Sequence, residues 1–95
     1  MILGMVVGTV VSSRRADGLE APKYLLVDPC DQRGTRKNAA LVALDLIGAG
    51  PGEVVILCQG SAARQTTVTD DRPIDAVIVA IVDLIDERGA VVYQK

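Results

Sequence analysis

The 95-residue chain contains no tryptophan, no phenylalanine and no histidine, and its only aromatic residues are Tyr24 and Tyr93. Histidine is the side chain that most often carries general acid–base catalysis, so the commonest kind of enzyme site is missing. Proteins that bind single-stranded nucleic acid stack bases on aromatic side chains, and the formal net charge of -2 offers phosphates no attraction. We therefore expect neither an enzyme nor a nucleic-acid-binding protein, and no cofactor.

Cysteine and long apolar runs are also scarce. Cys30 and Cys58 are too few for a disulfide framework, and the chain shows no clear further ligands for a zinc site. We expect two reduced, buried thiols, as in a cytosolic protein. The apolar run at residues 76–82 is far too short to span a bilayer, and the apolar start lacks the preceding basic residues of a secretory signal. These absences predict a soluble cytosolic protein without a membrane partner.

The chain is rich in valine, isoleucine, leucine and alanine, and hydrophobic residues make up 49% of it. β-Branched residues favour strands, and turn signals recur between short apolar runs, which is typical of an all-β barrel or sandwich. The length predicts a single domain over residues 1–95. Strands are predicted at residues 2–11, 23–27, 53–59, 76–85 and 90–93, short helical turns at 60–64 and 73–75, and either a strand or a short helix at 39–47.

The predicted strands carry apolar residues on both faces. In residues 53–59, Val54 and Ile56 point one way while Val55 and Leu57 point the other. A sheet with one face in solvent would alternate apolar and polar residues. Because the chain has room for two short helices at most, we expect another subunit to supply the remaining cover, which predicts an obligate homo-oligomer.

The glycine-rich residues 48–52 (GAGPG) invite a nucleotide-binding interpretation. They do not match the dinucleotide fingerprint, and they lack the Gly-Lys-Ser/Thr of a phosphate-binding loop. A strand, not a helix, is predicted to follow them. We interpret them as a tight turn between strands, and the acids Asp70 and Asp71 as part of a solvated loop.

Five motifs, taken in order, resemble the EutN/CcmL family of bacterial microcompartment vertex proteins. Each motif is short, but their order over nearly the whole chain is specific, and the resemblance favours a strand at residues 39–47. The motifs are residues 4–12 (GMVVGTVVS), 23–27 (KYLLV), 43–53 (ALDLIGAGPGE), 60–64 (GSAAR), and the closing block 73–76 (PIDA) with 81–83 (IVD).

The resemblance implies a five-stranded OB-like barrel with one or two short helical turns, assembling as a cyclic pentamer. Such pentamers cap the vertices of an icosahedral shell in the bacterial cytoplasm, and separate hexameric tiles form its faces. The alternative is an OB-like nucleic-acid or ligand-binding module, because fold alone does not decide function.

The resemblance also implies which residues meet other subunits. It places one segment near the five-fold axis, namely Gly60, Ser61, Ala62, Ala63 and Arg64. Ser61 would line a narrow axial opening. Arg64 would pair with a carboxylate of the neighbouring subunit, because arginine suits interface ion pairs, and the candidates are Asp45, Glu53 and Asp75.

Overall fold

The computed structural model describes all 95 residues and consists largely of β-strands and their connections. Its single helical element is a 3₁₀ helix over Gly60–Arg64. The predicted all-β class is confirmed, and the ambiguous residues 39–47 contain a strand. No helix in the structure has the length and hydropathy needed to cross a membrane. The strands are β1 Ile2–Val10, β2 Lys23–Pro29, β3 Leu41–Asp45, β4 Val54–Gln59, β5 Ala76–Ile81, β6 Leu84–Glu87 and β7 Ala90–Gln94.

The first five strands close into a barrel in the order β1-β2-β3-β5-β4, which confirms the predicted five-stranded barrel. All neighbouring strands are antiparallel except β3 and β5. That parallel pair is joined at only two positions, Leu44 with Val77 and Asp45 with Ile78. Closure protects the strands from indiscriminate pairing with other chains.

The barrel interior is packed so closely that Gly4 has no space for a side chain. An added Cβ would lie 2.6 Å from Cγ1 of Val27 and 3.1 Å from Cδ1 of Leu57. The core around it consists of Val6, Leu25, Val27, Ala43, Ala49, Val55, Leu57, Ala76 and Ile78.

Gly8 lies on the other side of β1, although simple alternation along a strand would place it on the same face as Gly4. The pairing of β1 with β2 shifts register between Val6 and Gly8. Because a one-residue slip reverses the face, an added Cβ at Gly8 would point toward Leu26 on the outside of the barrel.

A second apolar cluster, formed by Leu44, Ala63, Ile74 and Val77, lies outside the barrel. The 3₁₀ helix and the following residues 65–75 cover the outer face of β3 and β5 here. The predicted cover by another subunit is therefore restricted to the rest of the sheet. The chain covers this part with a segment whose polar composition conceals the buried Ile74.

The predicted strand at 76–85 is in fact two strands, because the chain leaves the barrel at Val82 and Asp83. The Val82 N–H still donates to the Val54 carbonyl at 2.8 Å, but the Asp83 carbonyl accepts from the Lys95 N–H at 2.9 Å. β6 and β7 then form a separate two-stranded hairpin.

The helical turn predicted at residues 73–75 is also wrong. This stretch is a bend, in which the Ile74 N–H donates to the Arg72 carbonyl at 2.8 Å. The Asp75 carbonyl accepts the Gly60 N–H at 2.8 Å. The backbone here is therefore hydrogen-bonded to the start of the 3₁₀ helix and forms no helical turn of its own.

Candidate assembly surface

The segment predicted to lie near the five-fold axis is the 3₁₀ helix Gly60–Arg64, which follows directly on β4. Ser61 and Ala62 are exposed, whereas Ala63 is fully buried in the outer cluster. Gly60 has a φ of +62°, and an added Cβ there would meet nothing within 4 Å. Glycine is therefore favoured by the left-handed backbone at the end of β4, and the exposed start of the segment carries only very small side chains.

Two threonines hold this segment in one conformation. The Thr69 side chain is fully buried, and its hydroxyl donates to the Ala63 carbonyl at 2.6 Å. The Thr66 hydroxyl lies 2.6 Å from that of Thr69 and accepts the Thr69 N–H at 3.0 Å. Buried polar groups that satisfy one another rigidify their surroundings, so the small-residue surface is fixed. Polar composition alone does not reveal burial, so nothing in the sequence singles out this pair.

Arg64 has no carboxylate partner in its own chain. Its guanidinium donates to the Ile74 carbonyl at 3.4 Å, and it takes part in none of the ion pairs of the chain. The other N–H groups of the Arg64 guanidinium are available to a partner outside the chain.

Asp45, the first predicted partner of Arg64, is engaged within the chain. Its side chain is only 1% exposed, with Oδ2 lying 3.4 Å from Nζ of Lys23. Oδ1 accepts the Ile47 N–H at 3.1 Å, and Lys23 also donates to the Ala49 carbonyl at 2.9 Å. These contacts fasten the end of β3 to the glycine-rich turn that follows it.

Glu53, the second candidate, is also occupied. Oε1 accepts the Gly50 N–H at 2.6 Å, and Oε2 lies 2.6 Å from Nζ of Lys95. The hydrogen bond from Lys95, followed by that from Gly50, holds the pKa of Glu53 below its usual value. Glu53 therefore joins the tight turn before β4 to the end of the β6–β7 hairpin.

Asp75, the third candidate, is exposed and has no ion-pair partner within the chain. The hydrogen bond between its carbonyl and the Gly60 N–H places it beside the start of the 3₁₀ helix. Among the three carboxylates, Asp75 is thus the one with both a free side chain and a position next to the predicted axis segment. Its pairing with Arg64 across subunits stays a prediction.

The loop between β1 and β2 contains a buried carboxylate that no sequence pattern indicates. Asp17 accepts hydrogen bonds from the Tyr24 hydroxyl and the Leu19 N–H, and it lies 3.3 Å from Nε of Arg15. The hydrogen bond from Tyr24 is the main reason why the pKa of Asp17 is lowered. Burial, together with this bond, raises the pKa of Tyr24 to about 12. The loop is therefore fastened to the barrel.

Both cysteines are free thiols. Cys30 is buried, as predicted, and burial raises the pKa of its thiol. The prediction is wrong for Cys58, which is only partly buried. Cys58 pairs with Val77 between β4 and β5, and it shares the outer side of the barrel with that residue.

These features define a class of protein: a small, rigid β-barrel subunit suited to being a component of a larger structure. Its surface combines firmly held small residues, an arginine without a carboxylate partner in its own chain, and partly exposed apolar side chains on the outside of the barrel.

The chain belongs to the EutN/CcmL family, whose model, described as "Ethanolamine utilisation protein EutN/carboxysome", matches residues 1–83. It is 39% identical over 95 residues to the bacterial microcompartment shell vertex protein EutN of Escherichia coli K12, covering all of both chains. The structure of CcmL from Nostoc sp. PCC 7120 is 40% identical, with a TM-score of 0.93 and complete coverage of both chains. The pentameric microcompartment shell protein GrpN from Rhodospirillum rubrum is 39% identical, with a TM-score of 0.80, covering 92% of this chain and all of GrpN.

These relationships confirm the predicted family and the prediction of a structural shell protein. The family consists of shell vertex proteins and not of enzymes, and its members belong to shells inside the bacterial cytoplasm. The alternative of a nucleic-acid or ligand-binding module finds no support among the named relatives.

Proposed function

We propose that five copies of this chain form a closed ring that caps a vertex of an icosahedral microcompartment shell. The observation that carries the proposal is the likeness of the chain, over its whole length, to named shell vertex proteins. Its likeness to shell proteins described as pentameric supports the number of copies.

We further propose that Gly60–Arg64 faces the five-fold axis and that Arg64 pairs with Asp75 of the neighbouring subunit. The small exposed side chains of Ser61 and Ala62 allow backbones to approach closely around an axis. Arg64 and Asp75 are both without an ionic partner in the isolated chain, whereas the other two predicted carboxylates are occupied.

A charge-exchange series tests this pair. Arg64→Glu and Asp75→Arg should each shift the ring toward smaller species in native mass spectrometry, because each places like charges together. The double variant should recover the pentamer. Arg72→Glu is the matched control, because Arg72 is an exposed arginine without a carboxylate partner.

Failure of the double variant to recover assembly would reject the Arg64–Asp75 pair while leaving the ring intact as a proposal. A wild-type chain that stays monomeric throughout a dilution series would reject the ring itself.

The partners of the ring are proposed to be hexameric shell tiles. Purified pentamer mixed with hexameric tile protein should produce closed particles in electron micrographs, whereas tile protein alone should give open sheets or tubes. Unchanged tile assemblies in the presence of the pentamer would contradict this part of the proposal.

A further inference from the structure

A cavity of about 270 Å³ lies between the loop that joins β1 to β2 and the end of β3. Its charged groups come from three side chains, those of Glu20, Lys23 and Asp45, and most of the remaining lining is apolar. Ligand cavities in proteins commonly combine an apolar lining with a few polar groups. Because the volume is small, the cavity suits a ligand of only a few heavy atoms. Its main apolar walls are Leu19, Leu44, Leu46 and Val68.

Asp45 contributes to this cavity a buried carboxylate oxygen that has no hydrogen-bond partner. Its side chain is 1% exposed, and Oδ2 is the only buried side-chain oxygen or nitrogen of the chain without such a partner. Lys23 lies at ion-pair distance from Oδ2, but its ammonium donates its hydrogen bond to the Ala49 carbonyl at 2.9 Å. A buried polar atom without a partner is unfavourable, so a donor from outside the chain is expected to satisfy Oδ2.

The charges around the cavity favour a cation as that donor. Asp45 and Glu20 are acidic, whereas Lys23 is the only basic residue in the lining. Glu20 is exposed and takes part in no ion pair. Half of the Lys23 side chain is exposed, so its flexible ammonium can turn aside and admit a second cation to Oδ2. Hydrogen bonds between two ionised groups are stronger than those between neutral groups.

One wall of the cavity is held in an unfavourable backbone conformation. Ala21 has a φ of +44°, in the region that favours glycine, and Pro22 follows it directly. The loop is nevertheless fixed, because Arg15 donates to the Leu19 carbonyl at 3.2 Å and Asp17 accepts the Leu19 N–H at 2.9 Å. Strained residues held in this way cluster at ligand sites. The wall is therefore preorganised for a ligand, which lowers the entropy lost on binding.

We propose that this cavity binds a small organic cation, namely a primary alkylammonium. Its N–H group donates to Oδ2 of Asp45, and its short alkyl chain packs against Leu19, Leu44 and Leu46. A water molecule would match this lining less well, because a buried water needs about two to four polar partners and the walls are largely apolar. The inference concerns a single subunit and does not depend on the proposed ring.

A titration with butylammonium chloride, followed by amide chemical shifts, tests the site. The shifts should saturate at millimolar concentrations and be confined to residues around the cavity, such as Leu19, Leu46 and Val68. Sodium butyrate has a chain of the same length with the opposite charge, and ammonium chloride has the charge without the chain. Neither salt should produce these saturable shifts.

Three substitutions separate the contributions of charge and space. Asp45→Asn should weaken the binding of butylammonium by about tenfold or more, because it removes the charge from the acceptor. Glu20→Gln, at an exposed position, should weaken it by about twofold to fivefold. Val68→Phe should fill the cavity and block binding while leaving the carboxylate intact. Val42→Phe is the matched control, because both valines are 47% exposed and Val42 does not line this cavity, and it should bind as the wild type does.

Equal shifts with butylammonium and butyrate would overturn the proposal, because they would show an apolar cavity without selectivity for a cation. Absence of saturable shifts with butylammonium would also overturn it and would leave water as the partner of Oδ2. Unchanged affinity in a folded Asp45→Asn variant would reject the role of the carboxylate. If Asp45→Asn does not fold, the comparison of Val68→Phe with Val42→Phe decides, and equal binding by these two variants would reject the site.

Discussion

The carboxylate of Asp28, at the end of β2, accepts a hydrogen bond from Nε of Arg36 at 2.8 Å, and its side chain is only 1% exposed. Its other oxygen accepts the Ala39 N–H at 3.0 Å. These two contacts, the first more than the second, hold the pKa of Asp28 below its usual value. One buried acid thus organises the basic loop between β2 and β3, which in the sequence is only an irregular run of charged residues.

A lowered pKa makes the stabilising effect of Asp28 dependent on pH. The folded state favours the ionised acid, so the contribution is fully present above the pKa of an unfolded Asp, about 4, and is lost as the pH falls further. We expect Arg36→Met to lower the urea midpoint at neutral pH, with the difference from wild type shrinking below about pH 4. A difference that stayed constant throughout the acid range would contradict this role of the pair.

The Tyr24 phenol should ionise at an unusually high pH. Its pKa of about 12 lies above the usual value of 10.0, so folding favours the neutral phenol. The corresponding stability is present below about pH 10 and is lost as the pH rises toward about 12. In a pH titration, tyrosinate absorbance should show a late component, which rises above about pH 10 and which Tyr24→Phe removes. If the late component persisted in the variant, it would belong to Tyr93, and the effect of Asp17 on Tyr24 would be wrong.

The two glycines of β1 should respond differently to a methyl group. Gly4→Ala places a Cβ 2.6 Å from Val27 inside the barrel and should cost about 1–3 kcal/mol of unfolding free energy through overpacking. Gly8→Ala is the matched control, because its Cβ would make an ordinary contact of 3.8 Å with Leu26, and it should change stability by less than about 0.5 kcal/mol. Urea unfolding measures both. Equal losses of stability would contradict the register shift that places the two glycines on opposite faces of β1.

Thr69→Val keeps the shape of the side chain but removes its hydroxyl. The Ala63 carbonyl then loses the Thr69 hydroxyl, and the Thr66 hydroxyl keeps only the Thr69 N–H, which should cost about 1–3 kcal/mol, because a buried polar group left unpaired is unfavourable. Amide exchange in the 3₁₀ helix should accelerate along with the loss of stability. Thr67→Val, at an exposed position, is the control. Unchanged exchange would mean that the helix does not depend on Thr69.

Local patterns predicted most of the barrel, because strands such as β4 combine β-branched residues with clear turn signals on either side. β3 is different, since Leu41, Leu44 and neighbouring residues fit a helical period as well as a strand, and only the family resemblance decided it. The division between β5 and β6 had one weak local signal, the charged Asp83, which a single long strand with one solvent-facing position would also accommodate. The apolar run continues unbroken through Val82, and a long-range bond from Lys95 to Asp83 accompanies the departure of the chain from the barrel.

The candidate site was predictable in part. The small residues of Gly60–Arg64 could be recognised as a motif, but the sequence could not distinguish between the three carboxylates proposed for Arg64. That distinction depends on which acids already have partners, and those partners are remote. Asp45 is bound by a lysine at the start of another strand, and Glu53 is bound by the last residue of the chain. Contacts over such separations leave no periodic trace in a sequence.

The two-position seam between β3 and β5 has a consequence for how the chain folds. Its strands pair at only two positions, whereas β1 and β4, which are further apart in the sequence, pair at four. A seam with few ladder contacts gains little when it closes and opens locally at little cost. We therefore expect the seam to form last and to open first, with amides beside Leu44 and Val77 exchanging earlier than those of β1. A newly made chain would then pass through an open, edge-bearing sheet before it becomes competent to join a shell.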